Sequence, residues 1–372
     1  MLRIPVAIIR GGTSKGVFME RSDLPCEGAD LQRLLLAIFG SPDPRQIDGL
    51  GGADPLTSKA AIVAPSERPG VDVDYTFAQV GIDTAFVDFS LSCGNLLSGV
   101  GIFAILRGLK EAEEPLTTVT VYDTNTKKLA RLRIPVKDGK PVSEGNFFID
   151  GVPFGGARID ETFIEPAGSI TGRLFPTGNK KESFGGVEAS LVDAGVMALF
   201  VRASDLGLTG SEGPSYIDGD AELIRRIEVL RAEALVRAGM SGNRDLAVRE
   251  FPNLPKVILV APPMDFVAPV TGRHVCAKDI TLLGRVVTGG KLHKAFPVTS
   301  AIAVAAAVSE PETVVREVVG EFGNHIVIGH PSGVIDVSFS VSEGGAIREV
   351  TVGRTARLIM DGFVYIPEGR LR

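Results

Sequence analysis

The hydrophobic positions of this chain fall mostly in short alternating runs. "VDVDYTFAQV", "FVDFSL", "LTTVTVYDT" and "KVILVAP" place β-branched and aromatic residues in brief blocks separated by turn residues, the pattern of many short strands. Helical spacing is confined to five places, residues 31–39, 94–109, 221–238, 278–288 and 299–308. Two of these stand apart. "GNLLSGVGIFAILRG" and "TSAIAVAAAV" are apolar on every side and built largely from small residues, which predicts helices enclosed by the fold rather than lying on it.

The pattern also repeats. "VFMERSDLP" at 17–25 resembles "LFVRASDLG" at 199–207, with Phe18 matching Phe200 and Asp23 matching Asp205, and each follows a strand-like apolar run. Both pairs are 182 positions apart in a chain of 372 residues, so the sequence reads as a duplicated domain with one enclosed helix per half. The polar, Gly-rich stretch "GNKKESFGG" at 178–186 marks the seam. The expected domains are 1–183 and 184–372, with a last strand at about 355–372 able to return to the first.

Composition narrows the partners. The chain is 44% hydrophobic and 23% charged, and its net charge of −6 comes from interspersed acids and bases. That describes an ordered globular protein with no basic stripe, so neither nucleic acid nor a membrane is expected as a partner. Gly11 and Gly12 interrupt the N-terminal apolar run before a signal-peptide core forms, which points to the cytoplasm. Cys26, Cys93 and Cys276 are too few and too scattered for a disulfide framework. The four histidines have no metal-ligand spacing, and no metal is expected. "RGGTSKG" places Ser14 before Lys15, unlike a phosphate loop, and "GLGGAD" has Asp54 where a dinucleotide fingerprint needs glycine. No cofactor is expected.

Two stretches carry candidate chemistry. "IDGLGGADPLTSKAAIV" sets Lys59 between a Gly/Asp/Pro-rich loop and an apolar strand; burial there, or a second cation such as Lys15, would favour a neutral amine able to act as a base. A lysine simply extended into solvent is the alternative. In "SLSCGNLLSGVG", Gly94 and Asn95 are poor helix-interior residues but good first-turn residues. The helix therefore begins there, with Cys93 at its positive end, where a thiolate is stabilised and free N–H groups can hold a carboxylate. The alternative is a small core cysteine. The second half offers the same device, with Pro297, Thr299 and Ser300 opening its own small-residue helix. Two such ends suit a small, multiply anionic ligand, with Lys294 and Ser14 as supplements.

"RGGTSKGVF", "GSPDPRQIDGLGGADPLTSK", "CGNLLSGVG", "GHPSG" and "RTARLIMDG" resemble the family of 2-methylaconitate cis-trans isomerase, methylitaconate isomerase and 4-oxalomesaconate tautomerase. The resemblance runs from about residue 4 to the C-terminus and is densest in the first 110 residues. It implies an α/β (α+β) fold of two pseudo-symmetric, diaminopimelate epimerase-like domains, each a strongly curved sheet around a central helix. It further implies a cofactor-independent isomerase that shifts a proton across a small unsaturated di- or tricarboxylic acid, with Lys59 and Cys93 as the proton-transfer pair. Ser14, Lys15, Gly94, Asn95, Lys294, Thr299, Ser300 and Ser332 are the implied substrate binders. Where an epimerase of this fold carries its second cysteine, this chain has "PVTS" at 297–300, which disfavours two-cysteine racemisation.

The motifs of the first half look most like the oxalomesaconate branch, where aromatic-acid breakdown is the setting. "APPMDFVAPVTGR" and "GGKLHKAF" in the second half look closer to the methylaconitate type. The expected activity is thus 4-oxalomesaconate tautomerisation, with 2-methylaconitate or aconitate isomerisation as the alternative. A non-catalytic polycarboxylate binder is the reading from another class, and a homodimer is compatible with either.

Overall fold

The alternating run Leu2–Gly11 (β1) turns Ile4, Val6 and Ile9 inward, then reverses through Gly12 and Thr13 into Ser14–Glu20 (β2), so that Gly11 pairs with Ser14. The structure is a computed structural model that describes residues 1–25 and 27–371. Cys26 lies outside the described residues. The chain packs as two units, Met1–Thr162 with Gly353–Arg372, and Phe163–Val352.

In the first unit the hairpin is followed by α1 (Gly28–Phe39), β3 (Lys59–Pro65), β4 (Val73–Val80), β5 (Val87–Asp88), α2 (Gly94–Leu106), β6 (Leu116–Asp123), β7 (Lys128–Lys137), β8 (Lys140–Pro141) and β9 (Ile159–Ile164). β2 runs parallel to β3, β3 antiparallel to β4, β4 parallel to β6, and β6 antiparallel to β7. With no charged residue between Cys93 and Arg107, α2 has no face that favours water. It is buried from Gly94 to Ile105 and packs against β1, β2, β3, β7 and β8. α1 covers another side of the sheet through Leu34, Leu35, Ile38 and Phe39, which join Ile62, Ala78 and Val80.

The second unit contains β10 (Glu182–Phe184), β11 (Val187–Ala194), β12 (Val196–Arg202), α3 (Pro214–Gly219), α4 (Ala221–Arg237), α5 (Arg244–Glu250), β13 (Lys256–Ala261), β14 (Phe266–Val267), β15 (His274–Val275), β16 (Leu282–Thr288), β17 (Lys291–Leu292), α6 (Val298–Ser309), α7 (Val314–Val318), β18 (His325–His330), β19 (Gly333–Val341) and most of β20 (Ile347–Arg354). β12 runs parallel to β13, β13 antiparallel to β16, and β16 parallel to β18. Helix α6 is buried from Val298 to Val308 against β11, β12 and β19. The chain then returns to the first unit, where β21 (Ala356–Ile366) pairs antiparallel with β1 along its length.

Each unit is a curved mixed sheet around one enclosed helix, and the repeat extends to register. Gly16 of β2 pairs with Lys59 at the head of β3, and Ala198 of β12, 182 positions later, pairs with Lys256 at the head of β13.

Two expectations change. Residues 278–288 are not a helix: Leu282–Thr288 is strand β16, held between β13 and β18 and buried at every residue from Leu282 to Val287. An inner strand with both faces covered has no alternation, so its apolar run matches a buried helix equally well. The units divide at 162/163 rather than 183/184. Asp193 of β11 accounts for this, because its carboxylate accepts the backbone N–H groups of Ile170 and Thr171 at 2.9 and 2.6 Å, and its carbonyl accepts the N–H of Gly168. Those bonds fix the loop before β10 to the second unit. Short α3, α5 and α7 had no periodic signature. Among the described residues, no helix is long and apolar enough to cross a membrane.

Candidate active site

Lys59 is placed from two sides. Before it, the "SPDPRQIDGLGGADPLTS" loop folds around Gln46, which is 1% exposed. The amide oxygen of Gln46 accepts the N–H of Ala53 at 2.8 Å and the hydroxyl of Ser58 at 2.7 Å, while its NH2 donates to Ser41 Oγ at 3.0 Å. Gly51 is required there, since a Cβ would lie 2.2 Å from the Gln46 amide carbon. Gln46→Ala strands the buried Ser58 hydroxyl and frees the Ala53 N–H of the loop, and we expect it to lower unfolding free energy by about 2 kcal/mol in urea titrations; an unchanged midpoint would contradict this role.

Across the sheet, Lys59 pairs directly with Gln79. The ammonium donates to Gln79 Oε1 at 2.6 Å and sits 5.0 Å from the centroid of the Phe77 ring. The Gln79 NH2 donates to the carbonyls of Pro55 and Ser58 at 3.2 and 2.9 Å. Those two bonds fix the amide orientation, so an oxygen must face the lysine. Lys59 is 8% exposed, and its partner is a neutral amide rather than a carboxylate. Gln79→Glu would add a negative charge beside the amine and favour its ammonium form. Turnover at neutral pH is expected to fall in that variant, and an unchanged rate would separate Gln79 from the chemistry.

Cys93 is the N-cap of α2, 8% exposed, and its side chain makes no capping hydrogen bond to that helix. By contrast, Asp220, Asn243 and Thr313 cap α4, α5 and α7. The positive end of α2 thus takes no cap from its own N-cap side chain and favours negative charge. Asn95, in the first turn, accepts the Thr13 N–H at 3.3 Å. Gly12 has φ +50°, and a Cβ there would lie 2.1 Å from Asn95 Oδ1, so the β1–β2 turn can approach the helix end only as glycine. Ser14 is buried beside this turn. A Cβ on Gly16 would lie 2.7 Å from Leu96 Cδ2 and 2.8 Å from the Lys59 carbonyl oxygen. Lys59 and the first turn of α2 thus border the same glycine.

A second layer holds this arrangement. The Tyr75 hydroxyl donates to the Cys93 carbonyl at 3.3 Å. Its phenol is held well above its ordinary value, first by burial and then by the charges of Cys93, Asp123 and Glu161. Asp123 is hydrogen-bonded to the Ser92 hydroxyl; burial raises its carboxyl, against the lowering effect of Ser92, Thr126 and Asn125. The Asn125 side chain accepts the Phe77 N–H and donates to the carbonyls of Phe77 and Phe89, at 2.8 to 2.9 Å. The β6–β7 turn therefore fixes both the ring beneath Lys59 and the residue before Cys93.

In the second unit, α6 begins at the Pro297 cap, again with no side-chain cap among the described residues. Thr299 is 4% exposed and accepts a hydrogen bond from Lys256 Nζ at 3.3 Å; Ser300 is fully buried. The Ser332 hydroxyl donates to the Lys294 carbonyl at 2.6 Å, and its N–H donates to His330 Nδ1. That proton is thus committed to bracing the loop. The Lys294 side chain is exposed.

Of the residues read from sequence, the first unit gathers Lys59, Cys93, Gly94, Asn95 and Ser14 around the first turn of α2. Strand alternation places Lys15 on the opposite face of β2 from Gly16, so it does not join Lys59. Gln46, Tyr75, Gln79, Asp123, Asn125 and Lys256 went unread. Lys256 did carry a signal: "PKVILV" opens an apolar strand with lysine as "SKAAIV" does.

An enclosed helix with an uncapped N-terminus, a cysteine at its cap and a buried lysine beside it suits proton transfer on a small anion. The structure superposes on methylitaconate-delta-isomerase with a TM-score of 0.84 and 42% identity, covering 100% of this chain and 97% of that one. It also shares the fold of a hydroxyproline epimerase from Agrobacterium vitis, at a TM-score of 0.56 and 14% identity over 98% of this chain and 92% of that one. In sequence it is 42% identical to 3-methylitaconate isomerase of Eubacterium barkeri over 100% of this chain and 99% of that protein. It is 40% identical to (4E)-oxalomesaconate Delta-isomerase of Novosphingobium sp. (strain KA1), over 97% of each. Identity to 2-methyl-aconitate isomerase of Shewanella oneidensis is 38%, over 99% and 98%. The protein is an isomerase of small acids, built on the epimerase-like fold. It belongs to the PrpF protein family, whose match spans residues 1–367.

Proposed function

We propose that this chain catalyses a 1,3-proton shift, allylic or keto–enol, in an unsaturated di- or tricarboxylic acid, with Lys59 and Cys93 as the acid–base pair. One observation supports this most: a buried amine on a fixed neutral acceptor and a buried thiol at an uncapped helix end flank the same turn of one unit. The neutral amine removes a proton from the carbon next to the double bond. The electron pair moves through the double bond towards the conjugated carboxylate or carbonyl, whose developing charge faces the N–H groups of α2. The thiol returns a proton at the far carbon, and the two groups exchange roles in the reverse direction. One proton leaves and one arrives, so no electrons are lost or gained.

For the acid itself, the motifs of the first half favour 4-oxalomesaconate. The whole-chain identity of 42% to 3-methylitaconate isomerase favours a methylitaconate-type acid instead. Incubating the chain in heavy water with 4-oxalomesaconate, 3-methylitaconate, 2-methylaconitate and aconitate tests both. Deuterium should enter one of them, by NMR, at a rate proportional to enzyme concentration. No incorporation into any of the four would defeat the proposed reaction.

A further inference from the structure

Strand β21 is an edge of the first unit's sheet. Among the described residues β1 is the one strand that pairs with it, and α1 and α2 are the helices packed against it. An antiparallel strand directs alternate backbone N–H and C=O groups away from its neighbour, so the far edge of β21 presents a row of them with no strand to receive them. Native edges are blunted by bulges, short length, lysine or proline. The bulge here falls at Ile359, where the register against β1 shifts between Ile8 and Ile9; from Met360 to Ile366 the strand is regular and holds neither lysine nor proline. Its side chains do not blunt it either. Met360 and Val364 lie on the α1 side, packed against the cluster of Leu34, Leu35 and Ile38, and alternation turns Asp361, Phe363 and Tyr365 the other way. Ile359, Phe363 and Tyr365 are 44%, 45% and 58% exposed, an apolar stretch that a single chain leaves in water. Two charges flank it. The Asp361 carboxylate pairs with Arg107 at 2.7 Å, and the Arg3 guanidinium lies 3.5 Å from the centroid of the Phe363 ring.

We propose that this edge is the contact between two copies of the chain, with β21 pairing antiparallel to β21 of the second copy about a two-fold axis at Gly362. An antiparallel edge is self-complementary, as a two-fold contact requires. Centring on Gly362 sets Met360 opposite the partner's Val364, Asp361 opposite the partner's Phe363 and Ile359 opposite the partner's Tyr365, each pair formed twice. The last is a β-branched residue against an aromatic ring, a favourable cross-strand pair. Charge selects the same occupant. Asp361 comes against the ring that carries the partner's Arg3, so acid meets base on both sides of the axis. Centring on Asp361 instead would set two carboxylates against each other. Pairing over Ile359–Tyr365, at about 3.4 Å per residue with a side-chain layer of about 10 Å on each face, buries about 1,000 Å² in total, the lower end of what a specific contact needs. The dimer should therefore dissociate on dilution. It is independent of the reaction the chain catalyses.

Sedimentation velocity of the full chain over a concentration series should show monomer passing into dimer, and Tyr365→Lys should weaken association by about tenfold or more. Exchanging the charges tests the register. Asp361→Arg and Arg3→Asp should each weaken association to the same extent, because each sets like charges together across the axis. An equimolar mixture of these two variants should dimerise again, since in the mixed pair every aspartate meets an arginine. Misfolded chains could not rescue one another, so the mixture also reports on folding. A wild type that stays monomeric throughout the series would overturn the proposal. So would a dimer unmoved by Tyr365→Lys and Asp361→Arg, or a mixture that associates no better than either variant alone.

Discussion

Lys59→Ala is expected to abolish solvent deuterium incorporation, lowering kcat by about 10³-fold or more, and Cys93→Ala to slow it by about 10²- to 10⁴-fold. A positioned general acid or base contributes on that scale. Alanine at 59 also removes the partner of the Gln79 amide oxygen, so a lysine-specific readout is needed. Lys59→Arg keeps the cation but cannot supply a neutral amine near neutral pH; it should be nearly as slow as alanine, while binding of a polycarboxylate stays within a few-fold of wild type. Cys93→Ser retains a small side chain at the N-cap position of α2 but replaces the thiol with a far weaker acid. It should therefore resemble Cys93→Ala in rate and wild type in thermal stability. Full activity in Lys59→Arg, or in both cysteine variants, would remove these residues from proton transfer.

Why these two residues were legible, and their supports were not, follows from the distances along the chain that each signal spans. Cys93-Gly94-Asn95 before an uncharged run is a local helix-start pattern, and Lys59 at a loop-to-strand junction is equally local. Both enclosed helices were visible for the same reason. Gln79 acts through a cross-strand pair 20 residues away, and Asn125 through carbonyls 48 and 36 residues away. No periodicity encodes such partners, because they depend on which strands become neighbours. Strand β16 was misread because its neighbours on both sides remove the alternation that identifies a strand. Lys256 was hidden differently. The segment between β12 and β13 carries α3, α4 and α5, whereas β2 and β3 are separated by α1 and the Gln46 loop. The unequal insertions broke the repeat in sequence while the register survived in space.

Glu161 on β9 should make the stability of the protein fall as pH rises from about 5 to about 8. This carboxyl is fully buried, and burial raises it from 4.5 to about 8; Arg354 and Ser98 act in the opposite sense without overcoming the desolvation. Between those two values the folded chain holds a proton that the unfolded chain has released. Unfolding then releases a proton, so each unit of pH within the window removes up to about 1.4 kcal/mol, with an upper bound of about 5 kcal/mol across it. Below about 4.5 both states are protonated, and above about 8 both are ionised, so the contribution levels off at each end. Glu161→Gln imitates the neutral acid and does not titrate. Its melting temperature relative to wild type should therefore climb steadily from pH 5 to pH 8.5, and parallel melting curves for the two proteins would show that the carboxyl ionises normally. The same charge is felt at Tyr75, whose phenol is pushed up by Cys93, Asp123 and Glu161 together. The Tyr75 hydroxyl in turn holds the Cys93 carbonyl.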